Sequence, residues 1–409
     1  MQSKTLKWLS FGSLAAVIVL MAAATVVERL YGTTVALSRI YHHPVFFALW
    51  ALAAVSGCAL LWRRRAFRKP FTAGLHLALV LILAGALVTH LTGRSGEIHL
   101  RQGEPCASFE EEGGASASLP FSLELKEFRI EYDPGTRNVS DYVSELTVRR
   151  DGPDPEARSV TISMNHIFKK DGWRFYQADY DEDGLGSILA VSRDPWGVGV
   201  TYAGYALLLL CMIGFFFEKD GAWSRTVRAL RRGREPDKRL RAVGLVLAAA
   251  GAGMLAAWFL GAFPKGPLMP VLRSPLLFLH MLPILVSYAL FGLTTLIGVS
   301  GLLVKPAASA RLRDISLAIL YPAVFLLTFG TFLGAVWANI SWGNYWAWDP
   351  KETWALATLL IYSFPLHGDA LPALCRPRVF HVFCILAFLA VLVTYFGVNL
   401  LLGGMHSYA

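Results

Sequence analysis

One stretch organises this sequence, Trp337-Ala-Asn-Ile-Ser-Trp-Gly-Asn-Tyr-Trp-Ala-Trp-Asp-Pro-Lys-Glu-Thr-Trp354, which lies between two apolar runs. It contains five tryptophans, one tyrosine, two acidic residues and a lysine. Indole rings offer large, rigid faces, and each ring keeps an N–H group for a polar edge. We therefore predict that residues 337–354, the tryptophan patch, bind a planar ligand that has an apolar face and a charged rim.

An aromatic belt is the alternative explanation, because Trp and Tyr collect where helices leave the bilayer. A belt accounts for one or two tryptophans but not for this density. Small and polar residues are also mixed with the rings, at Asn339, Gly343, Asn344 and Asp349. Ligand binding is therefore the interpretation that the sequence favours.

The composition is that of an integral membrane protein. Of the 409 residues, 55% are hydrophobic and 16% are charged, and the mean hydropathy is +0.48. The first apolar run, 8–27, is followed by Glu28 and Arg29 without a small-residue cleavage site, so we predict a retained span. The formal charge of +9 comes mainly from basic residues that flank apolar runs, which indicates membrane topology and not nucleic-acid binding.

The cysteines predict neither a disulfide framework nor a thiol relay. No Cys-x-x-Cys motif is present, and only Cys106 falls in a polar segment that we place outside the cytoplasm. The five cysteines are Cys58, Cys106, Cys211, Cys375 and Cys384.

The apolar runs predict a polytopic α-helical membrane protein with about nine transmembrane helices. Four connections are rich in Lys and Arg. All four lie in the cytoplasm if successive spans cross the membrane in opposite directions. The N-terminus is then cytoplasmic, and the C-terminus and the tryptophan patch are extracytoplasmic. The runs lie at 8–27, 44–62, 71–92, 197–217, 242–262, 275–303, 315–338, 353–366 and 379–402, and all but the short eighth reach spanning length.

Segment 93–196 is predicted to be an extracytoplasmic β-rich domain. It is dense in Glu, Asp and Arg and has no long apolar run. Apolar and polar residues alternate at 121–132, and 142–148 and 160–164 predict further strands. Turn sequences such as Asp-Pro-Gly at 133–135 separate these strands. We expect a small antiparallel β sandwich or partial barrel.

Four histidines form two pairs by their depth in the predicted spans. His76 lies near the cytoplasmic start of one span, and His367 ends another span at the same side. His280 lies near the outer start of a span, and His406 follows the last span, level with the tryptophan patch. Neutral imidazoles supply axial ligands to haem iron, so each pair is a candidate haem site.

Each of these histidines also has an ordinary explanation. His367 and His406 are at helix ends, where an imidazole can be solvated or can cap carbonyl groups. His76 and His280 lie in apolar runs, where a polar side chain is costly and is a functional candidate. Five other histidines are interpreted as interfacial residues, surface residues or residues at the start of a helix: His42, His43, His99, His166 and His381. His90 is the exception.

His90 suggests a different class of protein. It stands fourteen residues after His76 on one predicted helix, about 21 Å along the axis. A di-haem cytochrome b-like electron carrier has one helix that holds ligands for an inner and an outer haem. Such a protein needs a second helix with a matching pair. The sequence offers none, because His367 and His381 share the spacing but are separated by a proline-containing loop.

Two segments resemble known families. Residues 342–356, Trp-Gly-Asn-Tyr-Trp-Ala-Trp-Asp-Pro-Lys-Glu-Thr-Trp-Ala-Leu, resemble the WWD signature of the haem-handling membrane proteins of cytochrome c maturation, and especially the CcsA half of the System II cytochrome c synthetase. Residues 164–180 are similar to the Asn...Gly...Tyr-Gln pattern of its partner, the ResB (CcsB) family. This resemblance implies a compact fused protein. Its predicted parts are a ResB/CcsB-like half at 1–220, a basic cytoplasmic linker at 221–241 and a CcsA-like half at 242–409.

The resemblance implies that haem b is the bound cargo. In the family, two histidines flank the WWD patch on the outer face and ligate its haem, and His280 and His406 match them. Two membrane histidines form a second haem site, which His76 and His367 match in position. The patch is then expected to cover the haem with its tryptophans and to set the rim and propionate geometry with 349–352. The expected patch residues are Trp337, Trp342, Trp346, Trp348, Trp354, Asn339, Gly343, Tyr345, Asp349, Lys351 and Glu352.

The resemblance also implies a reaction, which is thioether formation between haem vinyl groups and the Cys-x-x-Cys-His segment of an apocytochrome c. This is a holocytochrome c synthase-type (haem lyase) activity in which the substrate supplies the thiols, consistent with the lack of a cysteine pair here. The implied partners are apocytochrome c, thiol reductant proteins of the pathway and the lipid bilayer. Two alternatives remain beside the di-haem carrier: a haem exporter without ligation activity, and a structural anchor, which leaves the patch unexplained.

Overall fold

The computed structural model describes residues 2–111, 114–150, 156–232 and 274–402 of the chain. Three long helices come first: α1 (Gln2–Tyr31), α2 (Pro44–Arg63) and α3 (Pro70–Thr92). Between α1 and α2 lie a short helix, Thr33–Ala36, and a π-helical turn, Leu37–Tyr41. The β domain follows α3 directly.

The β domain is one eight-stranded antiparallel sheet with the strand order β5-β4-β3-β2-β1-β8-β7-β6. A hydrogen bond of 2.7 Å from Ser144 Oγ on β4 to Gln177 Oε1 on β7 joins strands that are distant in this order. The sheet therefore curls over its core, as in a partial barrel. The strands are β1 (Arg94–Arg101), β2 (Pro105–Glu111), β3 (Ser116–Tyr132), β4 (Val139–Arg150), β5 (Glu156–Ile162), β6 (Phe168–Lys170), β7 (Trp173–Tyr180) and β8 (Gly186–Arg193).

The remaining described helices form the second part of the chain. They are α4 (Gly197–Phe217), α5 (Ala222–Arg232), α6 (Pro275–Leu303), α7 (Pro306–Ser341), α8 (Pro350–Ser363) and α9 (Pro377–Leu392), which continues as a π-helix through Val393–Leu402. Proline is the first residue of α2, α3 and α6–α9. Its fixed φ suits the first helical position, where its missing N–H costs no hydrogen bond.

Seven helices in the described part are long and apolar enough to cross a membrane. The chain is therefore a multi-pass helical membrane protein with a β-rich domain. The predicted span 242–262 lies outside the described residues. The predicted span 353–366 is a 14-residue helix, α8, followed by a 3-10 turn, Phe364–His367. At about 1.5 Å per residue, α8 is about 21 Å long, too short to cross a hydrocarbon core of about 30 Å by itself.

Small residues bring α3 and α4 close together. A Cβ on Gly85 would meet the side-chain oxygen of Thr201 and lie 2.7 Å from its backbone nitrogen. Gly204 packs in the same way against Ile82. Close backbone approach at small residues is a common basis of helix association in membranes. This pairing connects both ends of the β domain to one rigid helical hairpin.

Three of the basic connections meet at the end of the helices that is distant from the β domain. The guanidinium of Arg64 donates to the carbonyl oxygen of Asp369 at 3.0 Å. Arg225 on α5 donates to the Asp369 carboxylate at 3.2 Å. The connections after α2, α4 and α8 therefore lie at one end, the arrangement that the charge distribution predicts for a cytoplasmic face.

We expect Gly85→Ala to destabilise the α3–α4 pair, since the added methyl group meets backbone atoms that cannot move aside. Overpacking of this kind costs about 1–3 kcal/mol. Gly57→Ala on α2 is the matched control, because a Cβ there meets nothing within 4 Å. Thermal unfolding of the purified variants in detergent should show a lower midpoint for Gly85→Ala only; equal midpoints would contradict the packing argument.

Candidate functional site

His76 and His367 face each other at the end of the helices distant from the β domain. His76 lies on the second turn of α3, and His367 ends the turn that follows α8. Their Nε2 atoms are 3.5 Å apart, and their ring planes cross at 80°. Phe11 of α1 contacts the His367 ring edge-on at 5.6 Å. The structure thus brings together two histidines that are 291 positions apart in the sequence.

The tautomer of both rings is fixed by the backbone. His76 Nδ1 lies 2.8 Å from the carbonyl oxygen of Thr72, and His367 Nδ1 lies 2.8 Å from that of Ser363. A carbonyl oxygen can only accept, so both Nδ1 atoms carry the proton. In the neutral rings, both Nε2 atoms are then acceptors. Two acceptors cannot hydrogen-bond to each other, so the pair has two lone pairs directed at a shared space that suits a Lewis acid.

A buried carboxylate supports the turn that carries His76. Glu218, at the end of α4, is only 5% exposed, and its Oε1 accepts from the backbone N–H groups of Phe71 and Thr72 at 3.0 and 3.2 Å. These are N–H groups of the first turn of α3, which have no partner within the helix. Glu218 therefore caps α3 from another helix and fixes the Thr72 carbonyl group that orients His76.

His280 lies on α6 against the tryptophan patch. Its ring stacks on Trp337 at a centroid distance of 5.2 Å and an interplanar angle of 22°. Its Nδ1 lies 3.1 Å from the carbonyl oxygen of Leu276, the same i−4 arrangement as in the other two histidines. Gly334 on α7 leaves room for the ring, since a Cβ there would be 3.1 Å from His280 Cδ2. The fourth histidine, His406, lies outside the described residues.

The tryptophan patch forms two aromatic groups, each a pair of edge-on indole rings. Trp337, which is 2% exposed, meets Trp342 edge-on at 4.8 Å, beside His280. Trp346 meets Trp348 edge-on at 5.7 Å in the second group. Trp348 has a positive φ of 59°, which turns the chain between its ring and the start of α8. The patch is therefore not one continuous flat surface.

The charged residues of the patch stabilise the start of α8. Asp349 is the N-cap, and its Oδ1 accepts from the Lys351 backbone N–H at 2.8 Å. Glu352, in the first turn, reaches back to accept from the backbone N–H of Ala347, two residues before the N-cap, at 2.8 Å. Lys351 Nζ donates to Asn399 Oδ1 of the last helix at 2.9 Å. These contacts give the three residues structural roles, and their expected role at the haem rim stays a prediction.

Two indole N–H groups in the patch have the features of a ligand-binding site. Trp337 Nε1 and Trp346 Nε1 are buried and have no hydrogen-bond partner among the described residues. Buried donors without a partner are rare and costly in folded proteins. One belongs to each aromatic group, so both groups keep a donor for the polar edge of a planar ligand. The binding of a planar, amphipathic ligand by the patch stays a prediction.

The N-terminal half supports the patch through contacts that the sequence did not predict. Trp354 Nε1 donates to Thr25 Oγ1 of α1 at 3.1 Å, and Tyr41 stacks on Trp348 at 4.7 Å. Tyr345 donates through its hydroxyl to Thr89 Oγ1 of α3 at 2.9 Å. No short motif marks Thr25, Tyr41 or Thr89. These contacts join residues that are far apart in the sequence, so local sequence patterns do not predict them.

The β domain also sits on the patch, through β7. Arg174 donates to Asn339 Oδ1 at 3.1 Å, and the Tyr176 hydroxyl lies 3.4 Å from the Asn339 carbonyl oxygen. The Tyr176 ring fills the space beside Gly343, which has a φ of 81°. Burial raises the pKa of Tyr176, so its hydroxyl stays protonated and can donate. Both β7 residues fall within the ResB-like segment 164–180. That resemblance was the one sequence feature that pointed to a role for this strand.

Two family models match the chain, one after the other. The ResB-like family matches residues 51–192, which include α3 and most of the β domain. The Cytochrome C assembly protein family matches residues 221–406, which include the tryptophan patch, His280, His367 and His406. The boundary between the matches falls near α4 and α5. The matches leave residues 193–220 between them, and the division predicted near residue 220 stays a prediction.

Curated relatives match about a third of the chain or less. Protein NrfI of Wolinella succinogenes is 40% identical over 155 residues, which are 35% of this chain and 17% of that protein. The cytochrome c biogenesis protein CcsA of Chlamydomonas reinhardtii is 36% identical over 152 residues, 35% of this chain and 43% of the relative. CcsA of Cyanophora paradoxa is 45% identical over 100 residues, 24% and 31% of the two chains.

The chain spans less than half the length of each of these three relatives. The two family matches nevertheless lie in tandem on one polypeptide, on either side of α4. With the multi-pass helices and the β domain inserted after α3, they identify the chain as a fused ResB/CcsA protein of System II cytochrome c biogenesis.

Proposed function

We propose that this protein binds haem at His76 and His367, moves it across the membrane and presents it at the tryptophan patch for attachment to an apocytochrome c. The observation that carries the proposal is the pair of Nε2 lone pairs that face each other. Two neutral acceptors 3.5 Å apart leave both lone pairs unsatisfied, and a group between them that both can bind would satisfy them. Iron supplies such a group.

Haem suits the pair better than a bare metal ion. A metal-bound imidazole nitrogen lies about 2 Å from the metal, so two axial nitrogens of one iron lie about 4 Å apart. Within the described residues, no group of three or more His, Cys, Asp or Glu is arranged to hold a metal ion. A bare zinc ion needs about four ligands. Porphyrin supplies four nitrogens of its own, and two imidazoles complete the iron.

The surroundings of the pair also suit the charged rim of haem. Arg64 and Arg225 both contact Asp369, two positions after His367. Guanidinium groups bind carboxylates through fixed parallel donors. Haem propionates that approach this end would compete with Asp369 for these donors. We therefore assign the inner site to haem loading, at the cytoplasmic face of a bacterial inner membrane.

At the other end, His280 and the tryptophan patch form the presentation site, with His406 as the proposed second ligand. The stacked Trp337 ring holds His280 in place. Attachment adds each substrate thiol across a haem vinyl group: a C–S bond forms, and the proton goes to the other vinyl carbon. The step has no net oxidation, but it requires free thiols. Thiol reductant proteins are therefore partners of the apocytochrome, and the synthetase contributes positioning.

The decisive experiment is expression of the chain with a Cys-x-x-Cys-His reporter in cells that lack their own cytochrome c maturation system. We expect covalent haem on the reporter, detected as haem stain that survives denaturing electrophoresis. His280→Ala should abolish it while the protein stays in the membrane. A haem exporter predicts haem outside the membrane without covalent product. A di-haem electron carrier predicts quinol-linked reduction of two haems without any reporter. Either result would refute the proposal.

The double variant His76→Ala/His367→Ala should lose the haem bound at the inner site. Both axial nitrogens are removed, so the low-spin bis-imidazole absorption of that haem should disappear from the purified protein. His99→Ala is the control, since this exposed histidine pairs with Asp181 in the β domain. Unchanged spectra and haem content in the double variant would place the inner haem elsewhere.

Gly343→Ala should impair the outer site and spare the inner one. The added methyl group collides with the Tyr176 ring, and the residue must also adopt a φ of 81°, which costs about 1–3 kcal/mol for a non-glycine residue. Gly103→Ala separates these effects, because Gly103 has a φ of 78° and an open environment. We expect lower reporter yield with normal inner-site spectra for Gly343→Ala, and normal yield for Gly103→Ala. Equal yields would show that β7 docking is irrelevant to the patch.

A further inference from the structure

A third pair of imidazoles lies at the end of the helices that meets the β domain. His42 follows the π-helical turn before α2, and His90 is on the last turn of α3. Their ring centroids are 5.3 Å apart, with an interplanar angle of 46°. For comparison, the centroids of His76 and His367 are 5.8 Å apart. The two pairs are therefore similar in separation, although sequence reasoning found no partner for His90.

This third pair borders the tryptophan patch. Tyr41, the residue before His42, stacks on Trp348 at 4.7 Å. Thr89, the residue before His90, accepts a hydrogen bond from the Tyr345 hydroxyl at 2.9 Å. Both chain segments that carry the pair are thus fixed to the patch by their preceding residue. These two contacts link the pair to the patch.

Helix α3 carries one histidine of the inner pair, His76, and one of the third pair, His90. His76 and His90 are fourteen positions apart, so about 21 Å of helix separates the inner pair from the third pair. That distance is most of a hydrocarbon core of about 30 Å. Cargo that leaves His76 and His367 for the patch must cover this distance. The third pair stands near the far end of the route.

The surroundings of the third pair indicate its ligand. Both imidazoles are exposed, so a large flat group can reach them from the side. Phe47 lies 4.8 Å from the His90 ring at an angle of 37° and adds an aromatic wall. No additional His, Cys, Asp or Glu joins the pair into a three-ligand group in the described part of the chain. Two ligands are too few for a bare zinc ion but are the full axial set of a haem iron.

We propose that His42 and His90 form a transfer site that receives haem between the inner pair and the tryptophan patch. The assignment of haem rests on the proposed function, and the site itself rests on the geometry of the pair. Haem on this site would lie next to the segments that contact Trp348 and Tyr345 of the tryptophan patch. His42 and His90 are therefore binding residues of the haem route.

The test uses the full chain in detergent with the other two sites removed, as the variant His76→Ala/His367→Ala/His280→Ala/His406→Ala. Hemin is added, and absorption spectra are recorded. We expect one equivalent of low-spin, bis-imidazole haem. Adding either His42→Ala or His90→Ala should remove this signal. Adding His43→Ala should not, because His43 Nδ1 accepts from the Val45 backbone N–H and caps α2.

Three results would overturn the proposal: no low-spin haem in the fourfold variant, a signal that survives loss of both His42 and His90, or a signal that disappears equally with His43→Ala. Monodisperse elution of each variant and unchanged thermal unfolding exclude misfolding as the cause. In the otherwise native chain, His90→Ala should lower reporter yield and leave inner-site haem in place. If the reporter is never modified but hemin still binds through His42 and His90, the proposed function fails while the binding site stands.

Discussion

The candidate haem sites depend on the fixed tautomer of three imidazoles. Each of His76, His280 and His367 places its Nδ1 within hydrogen-bonding distance of the carbonyl oxygen four residues earlier. That contact sets the direction of the other ring nitrogen and increases its basicity as a ligand. It needs no additional side chain, because the helix itself provides the acceptor. A helical membrane protein can therefore orient an imidazole wherever helical backbone supplies a carbonyl oxygen four residues before a histidine.

The second constraint is the dependence of the patch on both halves of the chain. The C-terminal half supplies the tryptophans, while α1, α3 and β7 supply Thr25, Thr89 and Tyr176 as supports. The β domain leaves the membrane part through α3 and returns through α4, and these two helices are packed too closely to slide apart. The domain is consequently held in one orientation over the loop that carries the indoles. Because both regions are in one chain, each tryptophan patch has one set of these supporting residues.

Hydropathy and depth predicted much of this arrangement from the sequence. Apolar runs locate the long helices, and the position of a histidine within its run was sufficient to place His76 and His367 at the same end. The period of a helix does not reveal which neighbour its face meets, so Glu218 and Arg174 were missed: their contacts join residues more than a hundred positions apart. The sequence offers no second helix with a matching pair for His76 and His90. The imidazole that lies near His90 is His42, in an irregular connection that periodicity does not describe.

The prolines that begin most of the helices have a further consequence. Because Pro70 and Pro275 define where α3 and α6 start, the number of residues that follow determines the angle of each proposed haem ligand, His76 and His280, around the helix axis as well as its depth. One extra residue between Pro70 and His76 would rotate the imidazole by about 100°. Substitutions of other side chains on these helices leave this angle unchanged, whereas changes of length in the first two turns would misdirect the proposed haem ligand.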